Sequence, residues 1–219
     1  MMSKKWRILL KILGWFFYPV MGVKVHGKEN VPPEGPIIVA PNHRAYFDPP
    51  VVGYALAVKP NQREAHFLAK EDLWKFKPFG KLLEFLNAIP LRRSAQARTA
   101  LMHAIDILNR GGAIVIFPEG GRNKTQEDLL PFKLGVSFLA IHTGAKVVPA
   151  YITNNRGRAI SKPWKWIFRL EPMHVYFGEP LDPADYPEGR RGQIELIKDL
   201  QKKVKELMDK ARAEGVERS

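Results

Sequence analysis

Gly111-Gly112-Ala113-Ile114-Val115-Ile116-Phe117-Pro118-Glu119-Gly120-Gly121-Arg122-Asn123 is the stretch on which the fold turns. From Ala113 to Phe117 the residues are all apolar, with a glycine pair before them and Pro118 after. A half-exposed strand would alternate; a short unbroken run between turn signals fits a strand covered on both faces. Upstream, Ala97, Leu101, Ala104, Ile105 and Leu108 recur at helix spacing, and the glycine pair closes that helix. Downstream, a helix is expected from Phe132 to His142 and a strand from Val147 to Ile152. Further out, strands are expected at Pro36–Ala40, His66–Ala69, Ala88–Leu91 and His174–Phe177. Helices are expected at Pro49–Val58 and Lys81–Phe85, and at the C-terminus with Ile197, Leu200, Val204, Leu207 and Met208 on one face. Strands separated by helices imply an α/β fold, a single domain with a mostly parallel central sheet covered by helices.

The chain's 219 residues, 45% of them hydrophobic, suffice for one core and not comfortably for two. Lys and Arg number 35 against 22 Asp and Glu, a net charge of +13. That excess points to polyanionic partners such as anionic lipid, nucleic acid or phosphorylated small molecules. Cysteine is absent, which excludes disulfide scaffolds, thiolate metal sites and thiol catalysis.

Residues 1–24 read as an arm and residues 25–219 as the main domain. The longest uncharged run of the arm, Ile12–Val23, has 12 residues, short of the roughly 20 that a spanning helix needs. Lys4, Arg7 and Lys11 share one helical face, and Trp6, Leu9, Leu10, Leu13, Phe16 and Phe17 cover the other. A basic stripe opposite an aromatic-rich face suits a helix lying in the headgroup layer of an anionic membrane. An amphipathic helix docked on its own domain has the same pattern. Trp164, Trp166 and Phe168 are a second candidate membrane contact, or core.

Three clusters could do chemistry. In Asn42-His43-Arg44-Ala45-Tyr46-Phe47-Asp48, His43 follows a strand and Asp48 begins a helix. Five positions do not share a helical face, but across a strand-to-helix loop the two side chains can converge. A carboxylate on one ring nitrogen would fix the tautomer and make the other nitrogen a base. The alternative is a capping Asp48 beside an ordinary loop histidine. Glu119-Gly120-Gly121-Arg122, after the strongest strand, offers close backbone approach and a forked phosphate donor; it also fits a plain glycine-rich turn. Arg92 and Arg93 follow another strand, and with Lys70, Arg122 and Lys133 they could ring one pocket with positive charge.

These blocks resemble the glycerolipid acyltransferases, most closely the bacterial 1-acyl-sn-glycerol-3-phosphate (lysophosphatidic acid) acyltransferases. Asn42, His43 and Asp48 match the NHxSxxD block. Ala88–Arg93 matches the second block, with Arg93 at its arginine. Phe117, Pro118, Glu119, Gly120 and Arg122 match FPEGTRS, and Val147-Val148-Pro149 matches the fourth block. Phe132-Lys133 and Gly135 also fit. Ala45, Arg92, Gly121 and Asn123 depart from the common residues, and the departures in the second and third blocks bear on which acceptor is used.

The resemblance implies acyl transfer from acyl-CoA or acyl-carrier protein to the sn-2 hydroxyl of lysophosphatidic acid. His43 would be the base and Asp48 its orienting acid, with no covalent intermediate, no cofactor and no metal. Arg93 and Arg122 would hold the acceptor phosphate, Glu119 would position the glycerol hydroxyls, and Asn42, Gly120, Lys70 and Lys133 would complete the substrate site. The expected location is the cytoplasmic face of the cell membrane, peripheral or monotopic. Other readings are a different lysophospholipid or glycerol-3-phosphate as acceptor, or a non-catalytic basic binding protein. No nucleic-acid motif is present, and no nucleic-acid partner is expected. The remaining histidines, His26, His66, His103, His142 and His174, read as scattered structural or surface residues.

Overall fold

Seven strands form one sheet: β1 (Lys24–His26), β2 (Ile37–Pro41), β3 (Ala65–Lys70), β4 (Ala88–Leu91), β5 (Ala113–Val115), β6 (Lys146–Ile152) and β7 (His174–Phe177). The structure is a computed structural model and describes residues 14, 22–45, 48–75, 80–81, 83–84, 87–91, 97–125, 127–153 and 172–217. The strand order is β1-β7-β6-β2-β5-β3-β4. β6, β2, β5, β3 and β4 are mutually parallel, and β7 pairs antiparallel with β6 while β1 follows β7 in parallel.

The unbroken apolar runs have the expected cause: both faces of the sheet are buried. Ile37, Val39, Ala113, Val115, Val148, Ala150 and Ile152 face one core, with helix α1 (Asp48–Ala57) packed on it. Ile38, Ala40, Ile114, Val147 and Tyr151 face the other, under α2 (Ala97–Asn109), α3 (Gly135–Thr143) and α4 (Gly189–Ala213). Ile37, Ile38 and Ile114 are fully buried, each contributing about 1.5–3 kcal/mol relative to exposure. Pro149 sits inside β6 without breaking it. Its carbonyl accepts from Gly178, so the donor it lacks would face the end of the β6–β7 ladder, beyond the Ala150↔Phe177 pair. At the opposite end of the sheet, buried Arg63 donates to the carbonyls of Pro32, Gly35 and Gly111 and ties three turns together.

The strand order also sets where a ligand can enter. From β2 the chain crosses through α1, on the first face, to β3. From β5 it crosses through α3, on the second face, back to β6. β2 and β5 are neighbours, and their connections leave in opposite directions over opposite faces. This is the switch point of an open α/β sheet, where a crevice forms beyond the carboxyl ends of the strands.

Several boundaries differ from expectation. β1 was not anticipated; it starts at Lys24, and Val23 is already in the core. β5 ends at Val115, although Ile116 still donates to Val39, because the chain turns there toward the site. The helix expected from Phe132 begins at Gly135: the amides of Phe132 and Lys133 are drawn to Gln201 and to the Pro118 carbonyl. Residues 80–81 and 83–84 are helical, as expected for that segment. Gly14 is helical and lies against α1, where a Cβ would be 3.8 Å from the Tyr54 ring. The arm residues Lys4, Trp6, Arg7, Leu10, Lys11, Leu13, Phe16 and Phe17 lie outside the described residues, as do Arg92, Arg93, Trp164, Trp166 and Phe168. Among the described residues no helix is long and apolar enough to cross a membrane.

Candidate active site

Residues 42–47 carry the chain from β2 into α1 at the switch point. Asn42 anchors the start of this loop. It is 1% exposed, and its side-chain amide donates to the carbonyl of Ile152 and accepts the Ile152 N–H. The amide thus extends the β2–β6 pairing by one rung, whereas the sequence placed Asn42 on the substrate side.

Asp48 is the first residue of α1 and is buried. Its Oδ2 accepts the amide N–H groups of Arg44 and Ala45, each at 2.7 Å, and lies 2.9 Å from His43 Nδ1. The positive end of the α1 dipole adds to this stabilisation of the carboxylate. Because an ionised carboxylate only accepts, Nδ1 is the protonated ring nitrogen and Nε2 carries the lone pair. The Phe117 ring stacks on the imidazole with centroids 4.1 Å apart, and the His43 side chain keeps 16% of its surface exposed. The two residues separated by five positions therefore converge, and Asp48 is both the helix start and the partner of the ring.

Glu119, two residues beyond Phe117, is 4% exposed. Its Oε1 accepts the His43 N–H at 2.8 Å and its Oε2 accepts the Leu130 N–H at 3.0 Å. Burial pushes its carboxyl above the usual range, opposed by these two N–H bonds and by the nearby charge of Arg44. Both oxygens are thus engaged by main chain, and the carboxylate ties the loop after β2 to the segment leading into α3. A further tie runs from the Asn123 N–H to the His43 carbonyl at 2.7 Å.

Gly120 adopts φ +72°, and a Cβ there would fall on the Lys133 side chain, 2.8 Å from Cε and 2.9 Å from Cδ. The stem of Lys133 therefore crosses directly over Gly120, whose backbone conformation favours glycine and where a methyl would push the end of the Lys133 side chain aside. Lys133 is exposed and Arg122 is half-buried in the same loop. Lys70 ends β3 and pairs in register with Leu91, at the sheet end that also carries His43 and Glu119. Of the expected cationic rim, Lys133 and Arg122 are brought to the Glu119 loop, the Lys70 backbone stands at the same end, and Arg93 falls outside the described residues.

Reasoning from sequence missed the residues that organise these loops. Arg44 Nη2 donates to the carbonyls of Glu127 and Asp128, and Asn123 gathers Thr125 and Glu127 onto its side-chain amide. Arg44 and Asn123 lie inside the matched blocks, and that position was the only signal available. The histidines are not all scattered: His26 Nε2 lies 2.9 Å from His174 Nδ1, and both rings stack on Tyr176. Their shared edge of the sheet, β1 against β7, could not be read without β1. Among the described residues no three His, Asp, Glu or Cys side chains converge closely enough to hold a metal ion.

A profile described as Acyltransferase matches residues 22–153, more than half of the chain. The 1-acyl-sn-glycerol-3-phosphate acyltransferase of Bacillus subtilis is 31% identical over 192 residues, covering 86% of this chain and 89% of that one. The protein of that name from Streptococcus pneumoniae is 27% identical over 175 residues, covering 78% of this chain and 60% of its own. The crystal structure of the 1-acyl-sn-glycerophosphate (LPA) acyltransferase PlsC from Thermotoga maritima superposes with a TM-score of 0.67 at 26% identity. That superposition covers 95% of this chain and 84% of the other.

Proposed function

The chain belongs to the acyltransferase family, and on that premise we propose that it transfers a fatty acyl group from an acyl thioester to the sn-2 hydroxyl of lysophosphatidic acid, giving phosphatidic acid. The relatives that carry this activity in their names support the choice of acceptor. The observation that carries the mechanism is the His43 Nδ1 to Asp48 Oδ2 contact at 2.9 Å. It leaves Nε2 as the basic nitrogen of a ring that cannot rotate without losing its partner.

His43 Nε2 takes the proton of the acceptor hydroxyl as that oxygen attacks the thioester carbonyl. Asp48 stabilises the imidazolium that forms, the task of the acid in a hydrolase triad, with the substrate hydroxyl in place of serine. The new ester C–O bond forms, the C–S bond breaks, and the imidazolium proton passes to the departing thiolate. Lys133 and Arg122, with Lys70 and Arg93 from the neighbouring strand ends, supply positive charge for the acceptor phosphate. Acyl-CoA and acyl-carrier protein are both thioesters of the required chemistry. The basic and aromatic residues of the arm before Val23 meet the headgroup layer at the cytoplasmic face, so that neither lipid substrate has to cross water to reach His43.

The test is thiol release by the purified protein with lysophosphatidic acid and each thioester in turn, with phosphatidic acid identified by mass spectrometry. The wild type is expected to release thiol only when the acceptor is present, and His43→Ala is expected to release it about 10²–10⁴-fold more slowly. Acceptor-independent release, or near-normal turnover by His43→Ala, defeats the reading.

A further inference from the structure

α4 begins at Gly189, well beyond residue 153 where the family match ends, yet its last turn reaches the candidate site. Arg212 forks onto Asp128, with Nη2 on Oδ1 at 2.5 Å and Nη1 on Oδ2 at 3.1 Å. A planar two-point pair fixes orientation as well as distance. The anchor itself is firmly held. Just past Arg212, Glu214 accepts the Tyr176 hydroxyl and Glu217 accepts the Tyr151 hydroxyl, which pins the segment after α4 to β7 and β6.

Segment 127–130 passes this anchoring to His43 by three routes. Arg44 Nη2 donates to the carbonyls of Glu127 and Asp128, while the Arg44 N–H donates to Asp48 Oδ2. The Leu130 N–H holds Glu119, whose other oxygen holds the His43 N–H. Asn123 Nδ2 donates to the Glu127 carbonyl, while the Asn123 N–H holds the His43 carbonyl. Both main-chain groups of His43 therefore end on residues that this one segment fixes.

We propose that Arg212 and Asp128 are positioning residues for His43: their fork at the end of α4 fixes segment 127–130, and that segment sets the orientation of the imidazole. This rests on the acyl-transfer reading of the site. The action is indirect, through main-chain hydrogen bonds, so the pair governs the rate of the chemical step and not the binding of either substrate. Displacing a base by about 1 Å can lower a rate by about 10²-fold.

The experiment compares wild type, Arg212→Ala, Asp128→Asn and the exchanged pair Arg212→Asp with Asp128→Arg. Each single change is expected to lower kcat by about 10- to 10²-fold and to leave both KM values within about twofold. The exchanged pair is expected to recover part of the loss. Unchanged kcat, or a loss that lies in KM, overturns the proposal. Amide hydrogen exchange at His43, Arg44 and Leu130 is measured on the same proteins without substrate, and faster exchange is expected in both single variants. If Arg212→Ala does not fold, Asp128→Asn, which keeps the side chain's size, decides. If the wild type does not acylate lysophosphatidic acid, the reading of the reaction fails by itself. The exchange rates then decide the positioning claim, and rates equal to wild type overturn it.

Discussion

Asp48 Oδ2 meets His43 Nδ1 and the amide N–H groups of Arg44 and Ala45 at a single point. One oxygen thus closes the loop after β2, opens α1 and orients the ring.

Changes at the two members of this pair should therefore separate. His43→Ala removes the base and keeps the loop's main-chain hydrogen bonds while losing the bond to Asp48 and the stack on Phe117, so activity falls by about 10²–10⁴-fold with only a modest fall in melting temperature. Asp48→Ala strands two N–H donors at a helix start and should lose activity and about 2 kcal/mol of stability together. Asp48→Asn keeps an oxygen for the loop but no charge for the imidazolium, and should resemble His43→Ala. Thiol release beside thermal unfolding distinguishes the three; a His43→Ala protein destabilised as much as Asp48→Ala contradicts the account.

Glu119→Gln is not a mild change here. The amide keeps one acceptor oxygen and turns an NH₂ toward a main-chain donor, His43 N–H or Leu130 N–H. The expected cost is about 1–3 kcal/mol in urea unfolding, with a fall in kcat larger than any rise in KM. A fully stable Glu119→Gln enzyme defective only in acceptor KM would instead assign the carboxylate to the glycerol hydroxyls.

Gly120→Ala should act through Lys133. The new methyl occupies the path of the Lys133 stem and sits on a residue at φ +72°, a conformation costing roughly 1–2 kcal/mol for a non-glycine residue. Since Lys133 is proposed to meet the acceptor phosphate, both Gly120→Ala and Lys133→Ala should raise the KM for lysophosphatidic acid. About tenfold is expected from one charge-assisted hydrogen bond. The KM for the acyl thioester should hold steady, and an equal rise in both constants would count against this role.

Acid should destabilise the fold through His174. Burial, with the adjacent His26 and Lys24 and against the pull of Glu214, holds its imidazole down at about 4 from an ordinary 6.5. Between those values the unfolded chain takes up a proton that the folded chain refuses, so stability is complete above pH 6.5 and is lost as pH falls toward 4. His26 is pushed down by burial too and adds in the same direction. Melting temperatures measured from pH 7 downward should fall over this range, and His174→Phe, which keeps a ring against Tyr176, should flatten the slope.

The interior of the sheet was legible because burial on both faces leaves a run such as Ile37–Ala40 or Ala113–Ile116 with no polar residue. β1 escaped because Lys-Val-His is three residues long and mostly polar; its place comes from pairing with β7, 148 positions on from His26 to His174. The His43–Asp48 pair was legible because strand end and helix start fix both ends of a short loop. The uses of Asn42 and Glu119 were not, since a buried amide and a buried carboxylate look in sequence like any polar residue beside a site. Arg212 gave no sign at all: one arginine among the many cations of α4, it is distinguished only by facing Asp128, 84 positions away.

The opposed departures of the chain from β2 and β5 have a consequence for how such a protein can diversify. The rungs Ile37↔Ala113 to Val39↔Val115 hold the two strands together below the crevice, and the loops above them part company over opposite faces. The loop after β2 is held to its length by the His43–Asp48 contact, whereas the longer loop after β5 can change composition outside its ties to His43 without re-registering the ladder beneath. Acceptor preference can therefore drift generation by generation while the imidazole and its acid stay seated on an unaltered platform.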